Sequence, residues 1–390
     1  MALLQPAKVR HGRTIDGLTS LRFLAAFWVL ALHYTDQMPH DLQERTSFFQ
    51  QGQLGVDFFF VLSGFILTHV YVRELAARRF RYGLFLQRRL ARIYPLHVGS
   101  FLLVVGYVLA GRLAGVTFRA PDAYAASEIP PNLLLLHAWG WGRMSWNYVS
   151  WSISAEWFAY LLFPALTWLS LRPALGPWSR LAAALALMVA MYVAVEQVIG
   201  VPLTHLTSLA IFRILPEFVL GIALYHLSAR YDLAARTALL STLVGVSALL
   251  TVAHLGASDL GAVLLLGFLV FATASLERLG KATWLRDRRL IYLGEISYAI
   301  YMLHAILFIV YFKILRITLG DAYEHWAGWL GPPAILLTIG AAALAHHVVE
   351  LPCRRFFGRP DLLALGRGLG RGESALGRGE APGSSSGGRR

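Results

Sequence analysis

Ten long apolar stretches constrain the fold of this chain more than any other feature of its sequence. Each is about 17 to 24 residues long, which is the length that an α-helix needs to cross the hydrocarbon core of a bilayer. They lie at residues 18–34, 54–72, 95–111, 151–171, 180–199, 207–227, 236–254, 260–276, 291–314 and 329–349. Because only internally hydrogen-bonded segments are stable in lipid, we expect an all-α, polytopic integral membrane helix bundle of about ten transmembrane helices.

The composition supports a membrane protein. Hydrophobic residues make up 57% of the 390-residue chain and charged residues only 15%, whereas soluble domains carry about 25% charged residues. The single cysteine, Cys353, cannot form an internal disulfide, and no Cys/His spacing predicts a metal site. A further apolar stretch at 131–139 is too short to cross the bilayer and is expected to be re-entrant or interfacial.

The distribution of Lys and Arg predicts the orientation. Most of the 35 basic residues fall in segments that we place in the cytoplasm, namely 1–17, 73–94, 172–180, 228–236, 277–290 and 351–390. The positive-inside rule then makes both termini cytoplasmic, as an even number of spans requires. The net charge of +13 therefore indicates topology and contact with anionic lipid, and no basic patch interleaved with aromatic residues points to nucleic acid.

The same patterns divide the chain into three parts. Residues 1–17 form a short basic arm, which we expect in the cytoplasm, and residues 18–357 form the membrane domain. Residues 366–390 are rich in Gly, Arg and Ser and contain few apolar residues. Such a segment cannot bury enough apolar surface to fold, so we expect a disordered cytoplasmic tail.

The first apolar stretch carries an arginine and a histidine. Arg22 and His33 are eleven positions apart, so their side chains project from one face of a helix, about 16 Å apart along its axis. Ionisable groups in membrane helices are costly and usually mark a pathway or a reactive site. The alternative is that Arg22 snorkels to the headgroups while His33 lies passively at the interface.

Two carboxylates are expected near His33. Asp57 lies about one turn into the second span from its outer end, and Glu156 lies near the outer end of the span at 151–171. A buried carboxylate needs a partner. Three ionisable groups at one depth on three helices therefore predict a shared polar cavity.

Further candidates lie on both sides of the membrane. Arg89 and Arg92 are three residues apart on one helical face below the membrane, where such a pair can bind phosphates. Arg213 and Glu217 are four apart with a proline between them, which predicts a mutually neutralising pair, and Arg213 is also close enough to the outer side to meet an anionic acceptor. Trp151 closes a tryptophan-rich approach that can stack on sugar rings or anchor to headgroups.

Five blocks of the chain, in order, resemble the acyltransferase-3 family of integral-membrane acyltransferases. The resemblance extends from Ile15 to about Phe357, and its first block holds Arg22 and His33 at the spacing of the family's first-helix signature. The last block places His304 at helical spacing from two tyrosines. The blocks read IDGLTSLRFLAAFWVLALHY, GVDFFFVLSGFILT, RRLARIYP, WSISAEWFAYLLFP and LGEISYAIYMLH.

The resemblance implies an enzyme of the bacterial inner membrane. It would transfer an acyl group, commonly acetyl, from cytoplasmic acyl-CoA to a hydroxyl of a cell-surface or exported carbohydrate. His33 would be the catalytic histidine, and Arg22, Arg89 and Arg92 would contact the donor, acetyl-CoA in the first instance. Some members carry a soluble esterase-like domain that this chain lacks, so the membrane domain would act alone, as a homo-oligomer or with a separate soluble partner.

The chemistry of the residues agrees with this function. An imidazole titrates near neutral pH, so His33 can take the proton of an acceptor hydroxyl, with Asp57 or Glu156 orienting its ring. An acyl-His33 intermediate is the rival mechanism. On the acceptor side we expect Trp151, Arg213 and His304, although an aromatic stripe beside His304 is more often packing.

A second class of function uses the same ionisable groups. A transporter, or a flippase for a sugar or glycolipid, also places Arg, His and carboxylates within the membrane. Against it, the two halves of the chain show no inverted repeat and no paired Gly/Pro-interrupted helices. Acyl-CoA-dependent transfer that is lost on changing His33 distinguishes the enzyme from the carrier.

Overall fold

The structure is a computed structural model that describes residues 4–6, 15–37, 46–118 and 120–359. Within these ranges ten helices have at least 20 residues and form the bundle. We number them in chain order: α1 Asp16–Thr35, α2 Leu54–Ala76, α3 Tyr82–Leu113, α4 Trp151–Ser170, α5 Pro177–Ile199, α6 Ile211–Arg230, α7 Ala235–Leu255, α8 Asp259–Arg278, α9 Ser297–Leu319 and α10 Ala322–Ala345.

The helix bundle confirms the predicted fold class. Nine of the long helices in the described part of the chain are apolar enough to cross a membrane. The tenth, α4, has the same 20-residue length as α1 but carries Ser152, Ser154 and Glu156, which lower its hydropathy. The orientation of the bundle stays a prediction, and the expected tail at 366–390 lies outside the described residues.

Shorter elements join the long helices. Two strands, β1 Leu4–Pro6 and β2 Tyr231–Leu233, form one short antiparallel pair. The remaining elements are the short α-helices Ile129–Leu133, Arg288–Glu295 and Leu351–Phe357, the π-helical turns His137–Trp141 and His346–Glu350, and the 3₁₀ turns Gln50–Gln53, Pro121–Tyr124, Ala126–Glu128, Tyr148–Ser150, Leu203–His205 and Trp284–Arg286.

Several helix boundaries differ from the sequence-based expectation. The third span was expected to begin at Pro95, but α3 begins at Tyr82 and continues through that proline. Its first turns lie among the arginines of the basic loop, where hydropathy gives no helix signal. The span expected at 291–314 is divided at Ile296 into a short helix and α9. The stretch at 131–139 forms no long helix, as predicted from its length.

The centre of the bundle is a close contact between α2 and α6. Gly64 on α2 lies against the backbone of Phe218, and Gly221 on α6 lies against the carbonyl of Val61. A Cβ at either glycine would collide with main-chain atoms, so the absence of a side chain allows the two backbones to touch.

We expect Gly64→Ala to destabilise the protein by about 1–3 kcal/mol, because the added methyl group overpacks a contact made by backbone rather than by flexible side chains. Thermal unfolding in detergent measures the effect. Gly99→Ala is the matched control, because a Cβ at Gly99 has no atom within 4 Å. Equal melting temperatures for the two variants would contradict the close packing of α2 on α6.

Candidate active site

A cavity of about 530 Å³ opens between α1, α2, α3, α4 and α9. Four arginines line it, namely Arg22, Arg73, Arg89 and Arg92, and the carboxylate in its wall is Glu156. The remainder of the wall is mainly apolar, with Val56, Phe59, Phe60, Leu62, Ile66, Leu67 and Ile153. The predicted donor contacts Arg22, Arg89 and Arg92 are thus brought together in one cavity.

No carboxylate in the described part of the chain forms an ion pair with a cavity arginine. The arginines that form ion pairs within the described residues are Arg213, Arg278, Arg286 and Arg354, and none of these lines the cavity. Arg89 is instead surrounded by the rings of Tyr71, Phe85 and Tyr160, with its guanidinium carbon 5.8, 5.8 and 6.0 Å from their centroids. Aromatic faces stabilise a cation without neutralising it, so the positive charge stays available to an anionic ligand.

Glu156 is held within the cavity wall. The hydroxyl of Ser63 donates to its Oε1 atom at 2.7 Å, and the hydroxyl of Tyr160 donates to the same atom at 2.5 Å. Glu156 is also one of the charged groups that act on Arg22. The carboxylate therefore belongs to the level of Arg22 and not, as predicted, to the level of His33.

His33 lies outside the cavity, near the far end of α1. Its Nδ1 atom is 3.3 Å from Asp36 Oδ2 and 3.3 Å from the hydroxyl of Tyr148. Its ring stacks on the ring of His304, with centroids 5.1 Å apart. The interpretation that Asp57 or Glu156 orients His33 is wrong for this structure, because neither carboxylate contacts the imidazole.

Asp57 has a different partner. Arg213 donates to both of its carboxylate oxygens, at 2.8 and 2.7 Å, and the two side chains are 0 and 1% exposed. The predicted Arg213–Glu217 pair is therefore wrong, and both oxygens of Glu217 lack a hydrogen-bond partner among the described residues. Burial likewise removes Arg213 from the predicted contact with an acceptor.

Trp151 packs inside the bundle and does not face an acceptor. Its ring lies 4.9 Å from the guanidinium carbon of Arg213 and makes an edge contact with Phe60. Only 8% of its surface is exposed. The predicted sugar-stacking role of Trp151 therefore does not fit the structure. Trp141, from the same tryptophan-rich stretch, is 75% exposed.

His304 lies beside His33, although it is fully buried. Its Nδ1 atom lies 2.6 Å from the carbonyl of Tyr301, which can only accept, so Nδ1 carries the hydrogen. Its Nε2 atom has no hydrogen-bond partner within the described part of the chain. The prediction of a direct contact between His304 and substrate is therefore not met in this conformation.

Tyr301 contacts both the cavity and the histidine pair. It lines the cavity, and its ring centroid is 5.7 Å from that of His304. Its hydroxyl donates to the carbonyl of Val149 at 2.7 Å and accepts from Ser152 at 2.8 Å. The side chain of Tyr301 is therefore fixed by two hydrogen bonds beside His304.

The sequence interpretation missed several residues of the site. Asp36 follows His33 by three positions, a spacing that places both on one helical face and gave a usable signal. Tyr148 lies in a segment without periodicity, so no pattern identified it. No three His, Cys, Asp or Glu side chains converge as metal ligands in the parts of the chain that the structure covers.

We expect Asp57→Asn to lower stability by about 3–5 kcal/mol, because it removes the carboxylate that accepts both hydrogen bonds from the buried guanidinium of Arg213. Arg213→Met should have a similar effect. The double variant should lose much less than the sum of the two, since it removes both members of the pair together. Thermal unfolding of the four proteins in detergent gives the coupling energy. Additive losses would show that the pair is not coupled.

Comparisons with known proteins agree with this architecture. The acyltransferase-3 family, described as "Acyltransferase domain", matches residues 15–347. The chain is 31% identical over 378 residues to "Acyltransferase MdmB" of Streptomyces mycarofaciens, covering 88% of this chain and 93% of that relative. It is 41% identical over 107 residues to "Protein 2 in picA locus" of Rhizobium radiobacter, covering 27% of this chain and 52% of that protein.

No solved structure is significantly similar to this chain. The match to the family covers most of the chain, including α1 and the helices that line the cavity. An acyltransferase family also decides between the enzyme and the carrier that the sequence left open. The chain belongs to the acyltransferase-3 family and is a multi-pass membrane enzyme that transfers acyl groups.

Proposed function

We propose that this enzyme transfers an acyl group from cytoplasmic acyl-CoA to a hydroxyl of a cell-surface or exported carbohydrate, and that the acyl group is acetyl. Its location would be the bacterial inner membrane. The observation that carries the proposal is the cavity of about 530 Å³ lined by four arginines, none of which forms an ion pair with a carboxylate among the described residues. Such a cavity suits a ligand with a strongly anionic head and a thin, mostly neutral arm.

The donor fits this cavity in one direction. Arg73, Arg89 and Arg92 lie toward the end of the bundle that we predict to be cytoplasmic, where they can bind the phosphates of acyl-CoA. The pantetheine arm then runs along the apolar wall past Arg22, Ser63 and Glu156. Its amides can exchange hydrogen bonds with these polar side chains, so that the thioester approaches Tyr301 and the histidines beyond it.

His33 is the proposed general base. With Asp36 accepting a hydrogen bond from Nδ1–H, the Nε2 atom keeps its lone pair and can take the proton of the acceptor hydroxyl. The resulting imidazolium is stabilised by the charge of Asp36 and by the stacked ring of His304. Asp36 thus takes the orienting role that the sequence assigned to Asp57 or Glu156.

The acceptor is proposed to approach from the opposite end of the bundle. His33 has 21% of its side chain exposed, and Asp36 beside it has 48%. Trp141 presents an exposed indole at the same side, and indole faces stack well on the apolar faces of sugar rings. A hydroxyl-bearing glycan can therefore be held on the outer side of His33 without entering the arginine-lined cavity.

We expect His33→Ala to abolish transfer of label from radiolabelled acetyl-CoA to a mixed polysaccharide extract by the purified enzyme in detergent. His325→Ala is the matched control, because His325 is exposed on α10 and lies outside the site. Label on protein is scored separately, and its accumulation would favour an acyl-histidine intermediate over direct transfer. Equal transfer by wild type and His33→Ala would contradict the assignment of the base.

We expect Arg92→Gln to raise the KM for acyl-CoA about 10- to 100-fold, because a charge-assisted hydrogen bond to phosphate is worth about 1.5–3 kcal/mol. Arg88→Gln should leave the KM unchanged, since Arg88 is exposed on the same helix and does not line the cavity. Steady-state kinetics in inside-out vesicles measures the KM of both variants. We expect right-side-out vesicles to be inactive toward added acyl-CoA. If Arg92→Gln and Arg88→Gln changed the KM for acyl-CoA equally, the phosphates would not bind at Arg92.

A further inference from the structure

The last helical segment of the described chain packs along the first turns of α3. The π-helical turn His346–Glu350 and the short helix Leu351–Phe357 both contact α3. The side-chain amide of Gln87 on α3 donates to the carbonyls of Phe357 and Arg359, at 2.6 and 2.8 Å. The position of the short helix relative to α3 is therefore fixed by direct hydrogen bonds.

This packing brings Arg354 to the level of two cavity arginines. Arg89 and Arg92 follow Gln87 on α3, about 3 and 7.5 Å further along the helix axis. Arg354 precedes Phe357 by about 4.5 Å along a helix that runs in the opposite direction. The side chain of Arg354 therefore lies between the levels of Arg89 and Arg92, and the charges of both act on it.

Glu350 connects Arg354 to the wall of the cavity. This buried carboxylate accepts a hydrogen bond from Arg354 at its Oε1 atom, at 3.4 Å, and its Oε2 atom lies 2.8 Å from Nδ1 of His346. The charge of Glu350 also acts on Arg22 and on Tyr298, which both line the cavity. Arg354 is thus held by a residue that lies immediately beside the cavity wall.

The contact with Glu350 leaves most of the guanidinium of Arg354 available to a ligand. A guanidinium carries five N–H donors, and this long contact uses only Nη1. The side chain of Arg354 is 39% exposed. Arg354, Arg89 and Arg92 repel one another, and the single charge of Glu350 cannot offset all three. Such a group of guanidiniums favours a ligand that carries several negative charges.

We propose that Arg354 binds a phosphate of the nucleotide part of the acyl donor, at the mouth of the cavity. The inference rests on the proposed function and deepens it by adding a residue beside the cavity lining. The nucleotide end of acyl-CoA carries a diphosphate and a separate phosphate on the ribose. Arg73 on α2, the two arginines of α3 and Arg354 on the last helical segment can surround these groups from different sides.

The first test is the KM for acetyl-CoA of purified Arg354→Gln in nonionic detergent, with the polysaccharide extract as acceptor. We expect this KM to rise about tenfold, the lower end of the range for a charge-assisted hydrogen bond, because Arg354 is partly exposed. The kcat should stay unchanged, since Arg354 does not touch the reacting atoms. Arg355→Gln is the matched control, because Arg355 is the exposed neighbour on the same helix. A KM of Arg354→Gln within twofold of the control would overturn the proposal.

A second measurement identifies the part of the donor that Arg354 contacts. Adenosine 3′,5′-bisphosphate carries nucleotide phosphates without the pantetheine arm, and it should inhibit wild type in competition with acetyl-CoA. Arg354→Gln should raise its inhibition constant by the same factor as the KM. Arg354→Lys keeps the positive charge and should recover most of the loss in both constants, which a role in packing alone would not allow. Equal inhibition of wild type and Arg354→Gln, or no inhibition of either, contradicts the proposal, as does a lysine variant as impaired as the glutamine variant.

Anionic lipid headgroups offer the same phosphate chemistry, and a comparison of lipid conditions distinguishes them from the donor. The KM of Arg354→Gln is measured in detergent alone and with added phosphatidylglycerol. An equal rise under both conditions supports a phosphate that belongs to the donor. A rise that appears only with phosphatidylglycerol would assign Arg354 to the lipid and would reject the proposal.

The Arg92→Gln variant keeps the two proposals apart. If Arg92→Gln raises the KM for acetyl-CoA while Arg354→Gln leaves it unchanged, only the role of Arg354 is wrong. A folded wild-type enzyme that transfers no acyl group from any acyl-CoA overturns the proposed function, and the role of Arg354 falls with it.

Discussion

The contact between the backbones of α2 and α6 determines how charge is arranged in this protein. Gly64 and Gly221 allow the two helices to approach until main chain touches main chain. At that distance Arg213 on α6 reaches Asp57 on α2 with both of its hydrogen bonds complete. A buried ion pair is stable only when its hydrogen bonds are complete, because the desolvation of each charge costs free energy. The helix contact thus makes an otherwise costly pair stable.

Pairing at the centre leaves the other ionisable groups in distinct environments. Asp57 is fully occupied by Arg213, Glu156 faces the cavity through hydrogen bonds from Ser63 and Tyr160, and Asp36 accompanies His33 at the half-exposed end of α1. Three carboxylates of similar chemistry are therefore kept apart by packing. Each environment supports a different task, namely structural neutralisation, the wall of a polar cavity, and orientation of an imidazole.

Much of the fold could be predicted from the sequence, because segment length and hydropathy report directly on the thickness of a bilayer. The nine helices of the described residues that are long and apolar enough to cross a membrane follow from such local patterns. The partners of Asp57 and Glu156 could not be predicted in this way, since contacts between helices depend on rotation, tilt and relative depth. Because Glu156 and His33 were predicted to lie at the same depth in the membrane, they were expected to share one cavity. In the structure Glu156 instead accepts a hydrogen bond from Ser63.

Loop geometry set the other limit on prediction. Tyr148 acquires its position from the amide of Asn147 and from the carbonyl of Val149, which are contacts between residues far apart in the chain. No periodicity encodes such contacts. Asp36, in contrast, lies three positions from His33 on the same helix and was accessible to simple helical geometry.

The two hydrogen bonds of Tyr301 have a consequence for the wall of the cavity that it lines. Its hydroxyl donates to the carbonyl of Val149 and accepts from Ser152, so its side chain is held in one position. A side chain that is already fixed loses little further conformational freedom when a ligand binds beside it. This part of the cavity is therefore shaped before a ligand arrives, which lowers the entropic cost of binding.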